Sequence, residues 1–337
     1  MIVHSDVEQA VKALEHVWPA LDGARIFMTG GTGFIGRWML EVLARAPIDV
    51  EAVLLTRNPA AFATRAPHLA ARFDLLAGDT ATFAFPRCRF THVVHGATDA
   101  SAALTASDPR RMFDTIVRGT RRTLDLARFS GAGRYLLMSS GAVYGAQPAD
   151  VEHVTEDWRG GPDLGDPRSA YAEGKRAAET LCTIYGAQFG LATASARIFA
   201  LLGPLLPLDT HFAAGNFIRD AVAGRRIQVQ GSGQAVRSYL YPADLAVWLW
   251  TMLARAGAGS AYNCGSEEAV SVADLAHRTA RILGNPGVDV LGAPDAGWNP
   301  GRYVPSTAAI ARDLGLRLTV PLDEAIRRTA LANGWNP

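Results

Sequence analysis

A tyrosine and a lysine four residues apart, Tyr171 and Lys175, have the residue types and the spacing that proton transfer requires. On a helix this spacing places both side chains on one face. A free tyrosine has a pKa of about 10, and a neighbouring ammonium lowers that pKa because it favours the phenolate. The pair therefore predicts an acid/base couple in which Tyr171 exchanges a proton with a hydroxyl or carbonyl group.

A serine precedes this pair at the end of a predicted strand. The segment RYLLMSS, residues 134–140, reads as a buried strand that ends in Ser139 and Ser140 and continues as GAVYG. The Ser140 hydroxyl can there bond the same oxygen that Tyr171 protonates. A Tyr-x-x-x-Lys spacing alone is common and mostly structural. Together with this serine and a glycine-rich turn upstream, it predicts the catalytic set Ser140, Tyr171 and Lys175.

The glycine-rich turn, GGTGFIG at residues 30–36, follows the predicted strand RIFMTG and opens a predicted helix. Gly30, Gly33 and Gly36 let the backbone turn tightly, approach a pyrophosphate and pack the helix against the strand. The helix begins at Phe34 and Ile35, where free N–H groups and the positive end of the helix dipole favour phosphate. A strand, this turn and a helix in that order predict a dinucleotide cofactor site.

The residue after the second predicted strand bears on which dinucleotide is bound. An acidic side chain there would bond the ribose 2′-hydroxyl of NAD, whereas an arginine suits the 2′-phosphate of NADP. Arg57 occupies this place, so NADP is favoured over NAD; a solvated surface arginine is the alternative. Asp79, which closes the third predicted strand FDLLAGD, Thr80 after it, and Ala97 at the end of the fourth predicted strand HVVHGA complete the predicted cofactor contacts. Asp79 is placed to meet the adenine ring, or to cap a turn.

Short apolar runs alternate with helical stretches from the glycine turn onward, which predicts parallel βαβ units. The predicted fold class is α/β, a doubly wound parallel sheet of the Rossmann type with a smaller C-terminal α/β substrate lobe. Residues 1–23 are predicted to form an N-terminal helix, and 24–200 the NAD(P)-binding domain, to which 236–265 returns. The proline- and glycine-rich segments 201–235 and 266–337 are predicted to form the substrate lobe.

Composition excludes several classes of protein. The chain has 337 residues, of which 49% are hydrophobic and 19% charged, so disorder is not expected. Its formal net charge is +1, so electrostatic binding to nucleic acid or to anionic lipid is not expected either. No apolar run is long enough for a membrane span, and the first residues do not resemble a signal peptide. Three scattered cysteines predict no disulfide framework, and eight scattered histidines predict no metal site. A cytoplasmic protein is expected.

Three motifs in order, TGGTGFIG, SSGAVYG and YAEGK, resemble the extended short-chain dehydrogenase/reductases, the NAD(P)-dependent epimerase/dehydratase group that acts on nucleotide sugars. The resemblance covers the chain from about Arg25 to Trp335. It implies that Ser140 is the catalytic Ser/Thr and that Asn216 contacts the nucleotide. It also implies that Arg237 pairs with the substrate phosphates, with Arg302 as the nearest candidate for a second phosphate arginine.

The resemblance further implies a homodimer, because two long helices, predicted over Pro109–Phe129 and Ala170–Tyr185, form a four-helix seam in this family. The chain also departs from the family pattern. Gly141 and Ala142 stand where the 4,6-dehydratases carry Asp and Glu, and sugar-acid decarboxylases carry a glutamate at the second of these positions. Neither side chain can transfer a proton. Ala200 replaces a common asparagine, which leaves the substrate's base and sugar open.

These observations predict an NAD(P)-dependent nucleotide-sugar epimerase or 4-keto-sugar reductase with Tyr171 as the acid/base, and they leave the two reactions open. A nucleotide-sugar 4,6-dehydratase without the usual acid pair is one alternative. A ketone reductase of the same fold is another, although Asn216 and Arg237 argue against a substrate without a nucleotide. A non-catalytic NADP-binding sensor is disfavoured by the intact serine, tyrosine and lysine.

Overall fold

The computed structural model describes residues 2–98, 107–209, 212–293 and 301–336. Among them, seven parallel strands form one sheet in the order β3-β2-β1-β4-β5-β6-β9. The strands are β1 (Ala24–Thr29), β2 (Val50–Thr56), β3 (Asp74–Ala77), β4 (His92–His95), β5 (Arg134–Ser140), β6 (Ala192–Ile198) and β9 (Ser260–Cys264). The predicted doubly wound sheet is confirmed. Its order reverses between β1 and β4, where the carboxyl ends of the strands leave a crevice for a ligand.

Both faces of the sheet are covered by helices, which is why its strands are nearly continuous apolar runs. On β1, Met28 belongs to one apolar cluster and Phe27 to the other. The first cluster packs beneath α1 (His4–Ala13), α2 (Phe34–Leu43) and α8 (Pro242–Arg255). The second packs beneath α5 (Pro109–Ser130) and α6 (Ala170–Phe189), which lie side by side.

The structure lengthens several predicted elements. Helix α6 continues past the predicted end at Tyr185 and stops at Gly190, whose φ of 71° provides a left-handed cap. Helix α5 ends in the same way at Gly131, whose φ is 77°. A periodic pattern reveals that a helix exists more reliably than it reveals where the last turn ends.

A smaller lobe follows β6 and extends over one end of the sheet. Its strands are β7 (Ile227–Val229) paired with β11 (Val288–Val290), and β8 (Val236–Arg237) between β10 (Val270–Ser271) and β12 (Arg302–Tyr303). Its helices are α7 (Ala213–Val222), α9 (Val272–Leu283) and α11 (Leu322–Ala332), whereas α10 (Ala308–Leu314) contacts β9 and α8 at the edge of the main sheet. The short helices α3 (Pro59–Arg65) and α4 (Pro67–Arg72) lie between β2 and β3.

None of the helices in the described ranges is both long and apolar enough to cross a membrane. Within the same ranges, no group of three or more histidine, cysteine or acidic side chains is arranged to hold a metal ion. The cysteines Cys88, Cys182 and Cys264 are all free thiols, and burial raises the pKa of the latter two.

Candidate active site

A cavity of about 1200 Å³ opens at the carboxyl ends of β1, β2, β4, β5 and β6. The glycine turn after β1 forms one wall, and residues of the smaller lobe form the opposite one. All three members of the predicted catalytic set, Ser140, Tyr171 and Lys175, line this cavity. The doubly wound topology alone places a ligand site here, so the cavity and the predicted chemistry coincide.

The glycine turn has the backbone geometry that a pyrophosphate requires. Gly30 has a φ of 77°, and a Cβ built on it would lie 2.5 Å from the carbonyl carbon of Gly96. A Cβ on Gly36 would lie 2.2 Å from the Gly30 oxygen, so α2 packs directly on the turn. No side chain caps the first turn of α2, and Gly33, Phe34 and Ile35 line the cavity. These residues therefore fit a dinucleotide phosphate at the helix N-terminus.

Lys175 is a buried cation at the edge of the cavity. Its ammonium donates hydrogen bonds to Thr98 Oγ1 at 2.9 Å and to the Met138 carbonyl at 2.8 Å. Burial lowers the pKa of Lys175 to about 8, against the opposing effect of the Glu179 carboxylate, which favours the charged form. The ammonium lies 5.9 Å from the centre of the Tyr171 ring, so its charge acts on the phenol through a low-dielectric medium.

Tyr171 lies at the start of α6, directly after a short 3-10 turn at Pro167–Ser169. Burial raises the pKa of its phenol, and a hydrogen bond with the Ser140 side chain lowers it. Ser140 is the last residue of β5, and its Oγ accepts a hydrogen bond from the Ala142 N–H at 3.2 Å. A burial-raised phenol needs positive charge nearby to act as a base near neutrality, which the Lys175 ammonium can supply.

Two aromatic residues at this site were missed by the sequence analysis. Tyr303 and Phe199 both line the cavity, and their rings are in contact, with centroids 4.4 Å apart and planes tilted by 34°. Burial raises the pKa of Tyr303, and a hydrogen bond with the Ser140 side chain opposes that effect. The Phe199 ring also covers Gly141, because a Cβ there would lie 2.5 Å from Phe199 Cζ.

Of the three predicted substrate residues outside the catalytic set, the structure brings one, Arg237, to the cavity. Arg237 lines the cavity, and its Nη1 donates to the carbonyls of Val236 at 2.8 Å and Gly301 at 3.1 Å. Neither Asn216 nor Arg302 is among the described residues that line the cavity.

The reasons lie in the local contacts of those two residues. Asn216 Oδ1 accepts a hydrogen bond from Arg219 Nη1 at 3.1 Å, one turn along α7. Arg302 Nε donates to the Glu152 carbonyl at 2.6 Å. Successive residues of a strand point to opposite faces, so on β12 it is Tyr303 that faces the cavity while Arg302 turns away.

The predicted cofactor residues Arg57, Asp79, Thr80 and Ala97 all line the cavity. Arg65, the last residue of α3, lines it beside Arg57 and was not singled out from the sequence. Burial lowers the pKa of a further arginine, Arg37 on α2; the Glu41 carboxylate opposes that effect and the Arg65 charge adds to it. Two arginines, Arg57 and Arg65, and the carboxylate of Asp79 thus line this cavity.

A Rossmann sheet, a glycine turn at its first strand and a Ser-Tyr-Lys set at the strand ends define an extended short-chain dehydrogenase/reductase. Residues 26–265 match the NAD dependent epimerase/dehydratase family, and the chain belongs to that family of NAD-dependent enzymes. It is 30% identical over 313 residues to UDP-glucuronic acid decarboxylase 1 of Xenopus tropicalis, covering 91% of this chain and 72% of that protein.

Solved structures agree with the fold. The UDP-glucose 4-epimerase of Thermotoga maritima, solved with UDP-glucose, superposes with a TM-score of 0.79 at 20% identity, covering 92% of this chain and 98% of that one. The UDP-glucose 4-epimerase of Thermus thermophilus, solved with NAD, gives a TM-score of 0.75 at 25% identity, with coverage of 91% and 98%. The family resemblance inferred from the three motifs is confirmed.

The burial of Lys175 predicts a pH-dependent affinity for the cofactor, whose nicotinamide ribose this lysine is expected to bind. The pKa of about 8 means that the ammonium is present below that pH and is lost above it. We expect the dissociation constant for NAD⁺ to be constant below about pH 8 and to rise above it. NAD⁺ is the proper ligand because it lacks the 2′-phosphate, which titrates by itself.

In the Lys175→Met variant, NAD⁺ should bind about tenfold more weakly, as expected for the loss of one charge-assisted hydrogen bond. The dissociation constant of this variant should not change with pH around pH 8. In Glu179→Gln the midpoint should move to lower pH, because the carboxylate that favours the charged lysine is gone. Quenching of protein fluorescence measures both. A wild-type dissociation constant that is flat through this range would contradict the assignment.

Proposed function

We propose that the chain is an NADP(H)-dependent enzyme that reduces a 4-keto nucleotide sugar. The observation that carries the proposal is the pair of arginines, Arg57 and Arg65, that line the end of the cavity formed by the segment after β2, where the adenosine ribose is expected. Arginine forks bond two phosphate oxygens at once, so this end suits a 2′-phosphate better than a 2′-hydroxyl. Preference for NADP(H) in turn favours reduction.

The proton chemistry rests on Ser140, Tyr171 and Lys175. When bound, the nicotinamide supplies or accepts the hydride. Tyr171 gives its proton to the substrate carbonyl oxygen as that oxygen becomes a hydroxyl, and the Lys175 ammonium stabilises the phenolate that remains. Ser140 bonds the same oxygen and orients it. These roles use only groups that line one cavity.

Epimerisation is the second candidate. Tyr171 would take a hydroxyl proton and later return it to the same oxygen, after the keto sugar has turned over within the site. The same three side chains serve both reactions, and the similar structures from Thermotoga maritima and Thermus thermophilus are UDP-glucose 4-epimerases. The two candidates differ in the net product: an epimerase isomerises the sugar without consuming cofactor.

Elimination and decarboxylation are less well supported by the site. Ala142 lines the cavity where the resembling dehydratases and decarboxylases carry glutamate, and the ring of Phe199 fills the space beside Gly141. Among the described residues that line the cavity, the single carboxylate is Asp79, which follows β3 rather than β5. A general acid or base accelerates such a reaction by about 10²–10⁴-fold. The absence of the glutamate therefore argues against both elimination and decarboxylation.

The substrate's diphosphate is assigned to Arg237. Its guanidinium faces the cavity from β8, and two carbonyls fix its Nη1. A guanidinium that is already held in place loses little conformational entropy when it binds phosphate oxygens. We assign the rest of the nucleotide sugar to the smaller lobe that carries β8. The relative from Xenopus tropicalis is named for a UDP sugar acid, which makes uridine diphosphate the first nucleotide to test.

The reaction is tested by incubating the protein with nucleotide sugars and nucleotide 4-keto sugars, each with NAD(H) or NADP(H), and resolving the products by mass spectrometry and NMR. We expect reduction of a 4-keto sugar and no accumulation of a 4-keto-6-deoxy product from any hexose. Tyr171→Phe should abolish turnover and leave cofactor affinity within a few fold. Efficient loss of water or carbon dioxide from any of these sugars would overturn the proposal.

Cofactor preference has its own test. Arg57→Asp should replace a 2′-phosphate partner with an acceptor for the 2′-hydroxyl, and Arg65→Gln should remove one cation. We expect each to weaken NADP⁺ by about tenfold, as for one charge-assisted bond, and Arg57→Asp to strengthen NAD⁺. Arg255→Gln, at the exposed end of α8, is the control and should change neither dissociation constant. A wild type that already prefers NAD⁺ would refute the NADP proposal.

We also propose a homodimer that pairs α5 and α6 of two chains. Phe113 and Phe129 on α5, and Ile184 and Phe189 on α6, are large apolar side chains left exposed on these neighbouring helices. An apolar surface shared by two long helices is typical of a subunit contact. Light scattering at micromolar concentration tests this, and a single species at monomer mass would refute it.

A further inference from the structure

One wall of the cavity, beside the catalytic serine, consists of apolar side chains. Ala142 follows β5, Ile198 ends β6, and Phe199 and Ala200 come directly after it; all four line the cavity. Methyl, branched alkyl and phenyl groups neither donate nor accept hydrogen bonds. Ile198 is the register partner of Ser140. This surface of four residues, which we call the β6 wall, therefore borders the hydroxyl that the reacting oxygen is proposed to meet.

Backbone groups of the β6 wall are engaged within the protein. The Ala142 N–H donates to Ser140 Oγ at 3.2 Å. The Phe199 N–H donates to the Cys264 carbonyl at 2.9 Å, and the Ala200 carbonyl accepts a hydrogen bond from another backbone N–H at 3.0 Å. These backbone groups bond one another across the strand ends and therefore require no bond from a ligand.

Tyr303 brings an aromatic ring to the same surface from the smaller lobe. Its ring contacts the ring of Phe199, with centroids 4.4 Å apart. Its Oη donates to the Ile198 carbonyl at 3.5 Å. The single proton of the phenol is thus used within the protein, and the ring extends the apolar surface of the β6 wall.

The chemistry of the β6 wall decides which sugar substituent it can accept. A hydroxyl packed against it would lose its hydrogen bonds to water and gain none from these four side chains. A carboxylate would lose more, because the wall contains no cation to pair with it. A methyl group would gain, since its apolar surface leaves water. In a hexose, the hydroxyl on exocyclic carbon 6 extends one bond further from the ring than the other hydroxyls.

We propose that the β6 wall selects a 6-deoxy sugar, so that the substrate is a nucleotide 4-keto-6-deoxyhexose whose methyl group packs on Ala142 and Phe199. The inference rests on the proposed function, which places the oxygen of carbon 4 at Ser140 and Tyr171. Carbon 5 adjoins carbon 4 and carries carbon 6, so the exocyclic group lies beside the reacting carbonyl. Carbon 1, on the opposite side of the ring, carries the diphosphate assigned to Arg237.

Matched pairs of nucleotide sugars test the β6 wall by binding alone. UDP-6-deoxyglucose is compared with UDP-glucose, and UDP-6-deoxygalactose with UDP-galactose, by titration calorimetry on the protein saturated with NADPH. The reduced cofactor cannot oxidise these sugars, and each pair differs by one oxygen atom. We expect the 6-deoxy member to bind about 10- to 100-fold more tightly, as for a hydroxyl that loses its partners. Equal affinities within each pair, or tighter binding of the 6-hydroxyl member, would overturn the inference.

A substitution within the β6 wall shows whether the wall causes the preference. Ala142→Ser adds one hydroxyl and little volume, and that hydroxyl can bond the 6-hydroxyl of a hexose. We expect the preference for the 6-deoxy member to fall about three- to tenfold, the effect of one neutral hydrogen bond. Ala213→Ser adds the same group elsewhere in the cavity, at the start of α7, and should leave the preference unchanged. Thermal melting checks that both variants fold, and an equal preference in both would contradict the assignment.

Failure of the proposed function would look different. If a 4-keto sugar is reduced but the paired sugars bind equally, the assigned reaction stands and the inference about the β6 wall is wrong. If the 6-deoxy sugars bind more tightly but no keto sugar is reduced, the selection stands and the assigned reaction is wrong. Sugars that do not bind as UDP derivatives are tested as the same pairs on dTDP, GDP and CDP. If none of these binds, both the function and the inference are wrong.

Discussion

The buried ammonium of Lys175 is the constraint on which the arrangement of the site depends. A cation removed from water is tolerated only where hydrogen-bond acceptors replace the water. Here the acceptors are Thr98 after β4 and the Met138 carbonyl within β5. Helix α6 must therefore lie where it presents Lys175 to the ends of both strands. The same placement brings Tyr171, one turn earlier, to the serine at the end of β5.

The second constraint is the close approach of backbone at the glycine turn. Gly30 and Gly36 leave no room for a side chain between β1, α2 and the strand end at Gly96. That packing holds the phosphate end of the cavity rigid, while the smaller lobe contributes Arg237 and Tyr303 from the other side. These two residues are register partners in one short sheet, so that sheet brings both to the cavity.

The sequence predicts those features that have a local pattern. Strand β5 was predicted with the bounds that the structure has, since its run of apolar and small residues is followed directly by a glycine. The Tyr171–Lys175 spacing and the glycine turn are likewise local, and the catalytic pair and the three turn glycines line the cavity. Tyr303 could not be found in this way. Its strand has two residues, too few to show which one faces inward, and its neighbour Arg302 was chosen as the nearest candidate for the second phosphate arginine of the resembling family.

Long-range contacts explain the other differences between sequence and structure. Arg65 joins Arg57 only because α3 folds back after β2, and Asn216 is engaged by Arg219 one turn away on its own helix. The second relation is a local pair at i, i+3 on one helix face, whereas the first has no signature in spacing or composition. Phe199 covers Gly141 for the same reason: the two residues follow adjacent strands of the sheet and meet only in three dimensions.

The central claim is that this site moves a hydride and a proton at one carbon of a nucleotide sugar. The most direct measurement uses NADPH that carries deuterium at its transferable position, together with a nucleotide 4-keto sugar. The account predicts deuterium on carbon 4 of the sugar product, in one stereochemical position, and none with Tyr171→Phe. A sugar product formed without any deuterium would contradict it.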